Sequence, residues 1–182
     1  MNRFPLFPDG PYGYTQRFGP SHLGIDIMAP LGTPIVAVDD GKAWRQIDSK
    51  GGNVVYLQNK GSSIRGTLET YYYAHLSTWF PTLASAIHQS DAIDVRAGDV
   101  LGFVGNTGNA AGGPHHLHFQ IRRGSLVIDP FPDLQAVDPH PERGTPGQTV
   151  HAPTLQLPSM FAFPDALKGI ALLGLLYLWA RK

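Results

Sequence analysis

Residues 116–122 read His-Leu-His-Phe-Gln-Ile-Arg, and their alternation of polar and apolar side chains predicts a β-strand. Side chains two positions apart on a strand share one face, so His116 and His118 point together while Leu117 and Phe119 point into the opposite layer. Two such histidines are costly inside a core, because each needs a hydrogen-bond partner. The motif alone leaves an exposed polar strand face as the alternative.

Further short strands are predicted on both sides of this one. Apolar and β-branched runs between turn signals predict strands at 34–38, 42–47, 53–58, 68–76, 100–104 and 126–128. The turn signal Asp39-Asp40-Gly41 predicts that the first two form a hairpin. Many short strands joined by turns indicate a mainly β fold with an antiparallel sheet.

Two stretches are expected to be irregular. Residues 81–93 hold either a short helix or a loop. Residues 1–20 are rich in Pro, Gly and aromatic residues, and we expect them to form an irregular segment that lies across the folded body.

Composition narrows the range of functions. The chain has 182 residues, enough for one ordinary domain and a short extra segment. Lys+Arg and Asp+Glu each number 14, so no net positive charge favours a nucleic-acid partner. Cysteine is absent, which excludes disulfides, thiolate zinc sites and a cysteine nucleophile. A metal ion would therefore need His, Asp, Glu or backbone oxygen as ligands.

The C-terminal part differs in composition from the rest. We predict a domain at 1–133, a Pro-rich linker at 134–164 and a hydrophobic helix at 165–182. Residues 169–180 carry no charge, but a helix of this length rises roughly 18 Å, short of the ~30 Å hydrocarbon core of a bilayer. Membrane association through residues 166–180 and packing on the protein's own domain both stay open. The first residues have no apolar run typical of a signal peptide.

Other side chains also suggest a metal site. His22 and Asp26 lie four positions apart, and a bend at Gly24 would let both reach one ion. Taken alone, this spacing more often reflects an unrelated surface pair. His75 ends a predicted strand and is expected to share a face with Tyr73.

Together these residues match the needs of a catalytic zinc site. Such a site has three protein ligands and an open position, and hydrolysis further needs a proton acceptor and a donor to the developing oxyanion. Five side chains supply that number of groups, but the spacing does not decide which histidines are ligands: His22, Asp26, His75, His116 and His118.

Four motifs, in order, resemble those of the lysostaphin/LytM-type zinc metallopeptidases, between about residues 12 and 130. The segment from His22 to Val38 resembles the family's His-x-x-x-Asp motif, and Tyr73-Ala-His75 resembles its middle motif. Residues 95–109 resemble its glycine-rich stretch, and His116-Leu-His118 resembles its His-x-His signature.

The resemblance implies roles that spacing alone leaves open. One Zn²⁺ per chain is expected on His22, Asp26 and His118, with His75 and His116 as catalytic residues. His116 would take the proton of the attacking water and His75 would donate to the oxyanion. The implied fold is the family's antiparallel sheet with a zinc-containing groove. Gln120 stands where an acidic residue is frequent, and we expect no consequence for zinc binding.

The implied activity is hydrolysis of peptide cross-links or bridges in bacterial peptidoglycan. The alternatives are an inactive module that binds the wall or activates a hydrolase, a peptidase with another substrate, and a structural virion component. A peptidoglycan substrate places the action at the cell envelope. With no signal peptide seen, a phage-borne lytic or entry enzyme is one route of delivery. The oligomeric state is left undetermined.

Overall fold

An antiparallel β-sheet of ten strands dominates the computed structural model of the protein, which describes residues 1–7, 10–61 and 68–141. The strands are β1 (Gly13–Tyr14), β2 (Ile25–Met28), β3 (Pro34–Val36), β4 (Gly41–Asp48), β5 (Gly52–Asn59), β6 (Glu69–Trp79), β7 (Ile93–Val95), β8 (Val100–Val104), β9 (His116–Arg123) and β10 (Leu126–Ile128). One short α-helix, α1 (Phe131–Gln135), and 3-10 turns at Pro81–Leu83, Gln89–Asp91 and Gly108–Ala110 complete the described elements. The predicted mainly β, antiparallel fold is confirmed.

Strand β9, which carries His116 and His118, lies inside the sheet. The main path runs β1-β2-β9-β6-β5-β4-β7, with β10 added to β9 and the pair β3-β8 joined to β6. On β9, Leu117, Phe119 and Ile121 are fully buried in the main core, as are Ile25 and Ile27 on β2. The predicted separation of β9 into a polar and an apolar face is confirmed.

The predicted hairpin between residues 34–38 and 42–47 is wrong. β3 pairs with β8, and β4 pairs with β5 and β7. The turn signal at Asp39 forms a corner because the Asp39 carboxylate is buried, where it accepts hydrogen bonds from Asn2 Nδ2 at 2.6 Å and the Tyr71 hydroxyl at 3.2 Å. These contacts join residues that are distant in sequence. They direct the chain from the β3-β8 pair to the β4-β5 pair.

His75 does not share a face with Tyr73, and the cause is a β-bulge. Asn53 pairs with Leu76 and Val55 with Tyr73, so β6 carries one more residue than β5 over this interval. His75 takes a left-handed backbone conformation with φ 67°, and its N–H donates to the Gly51 carbonyl oxygen at 2.8 Å. A bulge redirects the side chain of the extra residue. Tyr73 is therefore fully buried in the core, whereas His75 lines the opposite groove.

The ends of the described chain are tied to the sheet. Leu6 forms a bridge with Ile35, and the aromatic side chains of Tyr12 and Tyr14 are buried. Both tyrosine hydroxyls donate to the buried carboxylate of Asp138. Residues 1–7 and 10–20 thus lie across the folded body, as expected, but contribute a short strand and part of the core.

Part of the predicted linker also packs on the sheet, since Leu134 is fully buried. Residues 142–164 of the linker and the predicted helix at 165–182 lie outside the described residues. Among the described residues, no helix has the length and apolar character needed to cross a bilayer.

The bulge predicts an unusual order of stability for two variants at His75. Both His75→Gly and His75→Ala remove the imidazole, but only alanine places a Cβ at φ 67°. A left-handed conformation costs an L-residue roughly 1 kcal/mol or more relative to glycine. We expect the glycine variant to have the higher free energy of unfolding by roughly 1 kcal/mol, measured by urea denaturation. At a regular strand position alanine would be the more stable, and that order would contradict the bulge.

Candidate metal and catalytic site

Strand pairing brings two of the three predicted ligands, Asp26 and His118, together. β2 and β9 are antiparallel, and Asp26 lies directly opposite His118 on the face away from the core. His22 joins them from the loop before β2, where Gly19 and His22 exchange backbone hydrogen bonds of 2.9 and 3.1 Å. The three side chains are mostly buried.

The atoms that converge are Asp26 Oδ1, His22 Nε2 and His118 Nδ1. Asp26 Oδ1 lies 2.8 Å from His118 Nδ1 and 3.1 Å from His22 Nε2, and the two ring nitrogens are 3.0 Å apart. Four ligands at the usual 2.0–2.1 Å around zinc would be spaced by roughly 3.3 Å. The three atoms form a triangle whose sides are slightly shorter than this. A small outward movement of the side chains would fit the triangle to one ion.

The hydrogen bonds around His22 favour a cation at this point. His22 donates its Nδ1–H to the Arg17 carbonyl oxygen at 2.9 Å, so its neutral ring directs the Nε2 lone pair toward the carboxylate oxygen of Asp26. Two electron pairs that face each other repel, and a cation between them relieves the repulsion. Within the described chain, His22, Asp26 and His118 form the one group of side chains whose spacing suits a metal ion.

The ionisation of Asp26 fits the same arrangement. Burial alone raises the pKa of this carboxyl, but the hydrogen bond from His118 and the charges of the surrounding histidine rings outweigh it. The net effect lowers the pKa below its usual value, so Asp26 is a carboxylate at neutral pH.

Gln120, for which the sequence predicted no consequence, contacts one of the three converging side chains. Its amide nitrogen lies 2.9 Å from His118 Nε2, the ring nitrogen remote from the triangle. A partner on the second nitrogen fixes the ring orientation and tautomer of a metal-binding histidine. With Nδ1 as the ligand, Nε2 carries the hydrogen, and the Gln120 amide must then turn its oxygen toward it. The two-residue spacing on one strand is the signal that could have found this contact.

Gly24 allows the close approach of His118. A Cβ on Gly24 would lie 2.7 Å from two ring atoms of His118 and 2.7 Å from the Phe119 carbonyl oxygen. Such distances are too short for any side chain, so glycine is required for this packing.

His75 and His116 stand beside the triangle with matched hydrogen bonds. His75 donates Nδ1–H to the Thr107 carbonyl oxygen at 2.8 Å, and His116 donates Nδ1–H to the Pro114 carbonyl oxygen at 2.9 Å. Their ring centroids are 4.8 Å apart, and His116 Nε2 lies 3.9 Å from Asp26 Oδ1. In the neutral rings, each Nε2 is therefore available as an acceptor.

Burial distinguishes the two rings. His75 is 7% exposed, and desolvation lowers its pKa below the usual histidine value despite the opposing hydrogen bond to Thr107. His75 is consequently neutral at neutral pH.

A groove of about 740 Å³ surrounds the five predicted residues. This volume lies within the range of ligand-binding clefts. Other side chains that line it come from loops and from β4, β5, β6 and β9, among them Gln16, Leu23, Asp48, Lys50, Tyr56, Tyr72, Asn109, Gln120 and Arg122. All five predicted residues thus lie in one groove. His88, His115 and His140 do not line it, and His151 lies outside the described residues.

Two curated relatives show how much of the chain is shared. The DD-carboxypeptidase/endopeptidase Mpg of Neisseria meningitidis serogroup B is 37% identical over 110 residues, 60% of this chain and 22% of that protein. The glycyl-glycine endopeptidase ALE-1 of Staphylococcus capitis is 31% identical over 136 residues, 70% of this chain and 32% of that protein. The chain thus spans no more than a third of either relative.

Solved structures of two peptidases share the fold of this chain. A family profile matches the part of the sequence that contains the groove histidines. Lysostaphin from Staphylococcus simulans superposes with a TM-score of 0.55 at 26% identity, over 76% of this chain and 55% of that one. A putative M23 peptidase from Pseudomonas aeruginosa gives 0.54 at 30% identity, over 74% and 50%. The profile of peptidase family M23 matches residues 20–130, a range that takes in every ligating and catalytic position predicted above. More than half of the chain is matched, and the chain therefore belongs to peptidase family M23.

Proposed function

We propose that the protein is a zinc metalloendopeptidase that hydrolyses peptide cross-links or bridges of bacterial peptidoglycan. The observation that carries the proposal is the convergence of His22 Nε2, Asp26 Oδ1 and His118 Nδ1, 2.8–3.1 Å apart, in a groove that also holds His75 and His116. The endopeptidase names of the relatives Mpg and ALE-1 support the reaction type. An inactive module is disfavoured, because all five positions are filled.

Zinc would be held by those three atoms, with Arg17 and Gln120 orienting the two imidazoles. When bound, zinc supplies a Lewis acid that polarises the scissile carbonyl and lowers the pKa of a water molecule to about 7. The side chains around it must then accept one proton and stabilise one developing negative charge.

His75 and His116 divide these two tasks. The resemblance assigned proton acceptance to His116 and donation to His75. The lowered pKa of His75 favours its neutral form, whose Nε2 accepts a proton, so we propose the reverse division. His75 Nε2 takes the proton of the attacking water, and protonated His116 donates from Nε2 to the carbonyl oxygen. In the original division, His75 would have to be protonated before the reaction begins, which its burial opposes.

The place of action is part of the same proposal. Peptidoglycan lies in the cell envelope, so the protein would act there. Membrane association through residues 166–180 and delivery by a phage particle stay predictions, and the segment concerned lies outside the described residues.

Digestion of purified peptidoglycan tests the proposed reaction. We expect the protein to release new amino termini, identified by mass spectrometry, and a chelator to abolish their release. Zinc added after chelation should restore the activity. Intact peptidoglycan after incubation with the zinc-loaded protein would contradict the proposal.

Variants separate metal binding from catalysis. His22→Ala and Asp26→Ala should lose bound zinc and activity together, because each removes one of three protein ligands. His116→Ala should keep zinc at one ion per chain while turnover falls by about 100-fold or more, since it removes only an acid–base group. Zinc content is measured by atomic emission on the purified variants. Loss of zinc from His116→Ala, or full activity in it, would refute the assigned roles.

Gly24→Ala should weaken zinc binding without removing a ligand. The new Cβ would displace the His118 ring, and disturbed support of a ligand typically costs about 10- to 100-fold in metal affinity. Affinity is measured by competition with a chelating dye. Gly19→Ala is the matched control, because no atom lies within 4 Å of its added Cβ. Equal affinities in the two variants would show that His118 tolerates the displacement.

The division between His75 and His116 predicts the pH profile. Activity requires neutral His75, so the decline of kcat/KM toward acidic pH should be centred at its lowered pKa, below about 6.5. Zinc content measured at each pH separates this limb from loss of the metal. A decline toward acidic pH that is centred above pH 6.5, with zinc still bound, would exclude His75 as the proton acceptor.

A further inference from the structure

Arg122 lies in the groove on the same face of β9 as the catalytic side chains. Positions 116, 118, 120 and 122 alternate with the buried residues of the strand, and all four line the groove. The Cα atoms of His118 and Arg122 are about 13 Å apart along the strand. The guanidinium is closer, because Nη2 lies 3.3 Å from the side-chain amide of Gln120, which also contacts His118.

No acidic side chain of the described residues compensates the charge of Arg122. Within the described chain it forms no ion pair, and its buried Nε has no hydrogen-bond acceptor. Its other close neighbour is the Tyr72 ring, whose centroid lies 5.7 Å from Cζ. Arg123, the next residue, points to the other face and is fully paired, with Glu69 Oε1 at 2.6 Å and Asp133 Oδ2 at 2.9 Å.

The carboxylate of Asp48 also lines this part of the groove but is engaged elsewhere. It accepts hydrogen bonds from the Tyr72 hydroxyl at 2.7 Å, from the Lys50 backbone N–H at 2.9 Å and from the Gly51 backbone N–H. It lies beyond ion-pair distance from Arg122, since no such pair is formed. A cation that is half-buried in a groove and lacks a counter-charge is well placed to bind an anion from outside the protein.

We propose that Arg122 binds a free carboxylate of the substrate peptide, within about two residues of the scissile bond. The contacts from Arg122 through Gln120 to His118 set this distance, since an extended chain advances about 3.3 Å per residue. This inference rests on the proposed function and narrows its substrate. A cross-link between D-Ala and a diamino acid with a free carboxylate provides the anion, whereas a glycine bridge has none. The preferred substrate class is therefore the acidic cross-link.

A matched pair of substrates tests the proposal. Two synthetic cross-linked peptides, one with the free carboxylate on the diamino acid and one with the carboxamide, differ by a single charge. The zinc-loaded full chain should cleave the carboxylate form with a kcat/KM about 10- to 100-fold higher, as expected for a charge-assisted hydrogen bond. Arg122→Gln should bring the ratio of the two kcat/KM values close to one, and Arg122→Lys should retain part of the preference.

The controls separate this inference from the proposed function. Arg96→Gln removes the same charge from an exposed position outside the groove and should leave the ratio unchanged. Calorimetric titration of both peptides into wild type and Arg122→Gln measures the preference without turnover, and circular dichroism verifies that the variant is folded. Equal binding and cleavage of both peptides by wild type, or the same preference in Arg122→Gln, would overturn the role of Arg122. Selective binding without cleavage would support the carboxylate site and count against the proposed hydrolysis.

Discussion

The pairing of Asp26 with His118 across β2 and β9 is the constraint on which the site depends. A shift of one residue in this pairing would turn every side chain of one strand to the other face. The opposite face prevents it, because Ile25, Leu117 and Phe119 are fully buried there. Replacing a buried Leu or Phe by a polar side chain costs several kcal/mol. The core therefore fixes the register, and the register fixes the distance between the side chains of Asp26 and His118.

A β-bulge in β6 places the His75 imidazole in the groove, which regular strand pairing could not do. In an undisturbed β6, His75 would follow Tyr73 into the core, and no imidazole from this strand would reach the groove. The bulge against β5 moves it to the other face at the cost of a left-handed backbone conformation. Hydrogen bonds to Gly51 and Thr107 hold that conformation in place. The groove thus combines a register set by the core with one strained residue.

Much of this arrangement could be predicted from sequence because it depends on local periodicity. The two faces of β9 follow from alternation alone, and the motif order identified the five side chains that the structure brings into one groove. The partner of β3 could not be predicted, because the turn at Asp39 is set by contacts to Asn2 and Tyr71, which are distant in sequence. The face of His75 was predicted wrongly for a related reason, since a bulge depends on the neighbouring strand. Local pattern therefore predicts which residues share a strand face, whereas strand partners and exceptions require tertiary contacts.

Side chains of β9 alternate between the groove and the opposite face of the sheet. This alternation gives the adjacent residues Arg122 and Arg123 different surroundings. Arg123 faces Glu69 and Asp133, which neutralise it inside the protein, and its charge is used for structure. Arg122 faces the groove, where its nearest partners are the side-chain amide of Gln120 and the aromatic ring of Tyr72. A charge that is partly removed from water and left without a counter-ion is unfavourable for the free protein. An anionic ligand removes that disadvantage on binding, so the same feature that weakly destabilises the empty groove would give it a preference for acidic peptides.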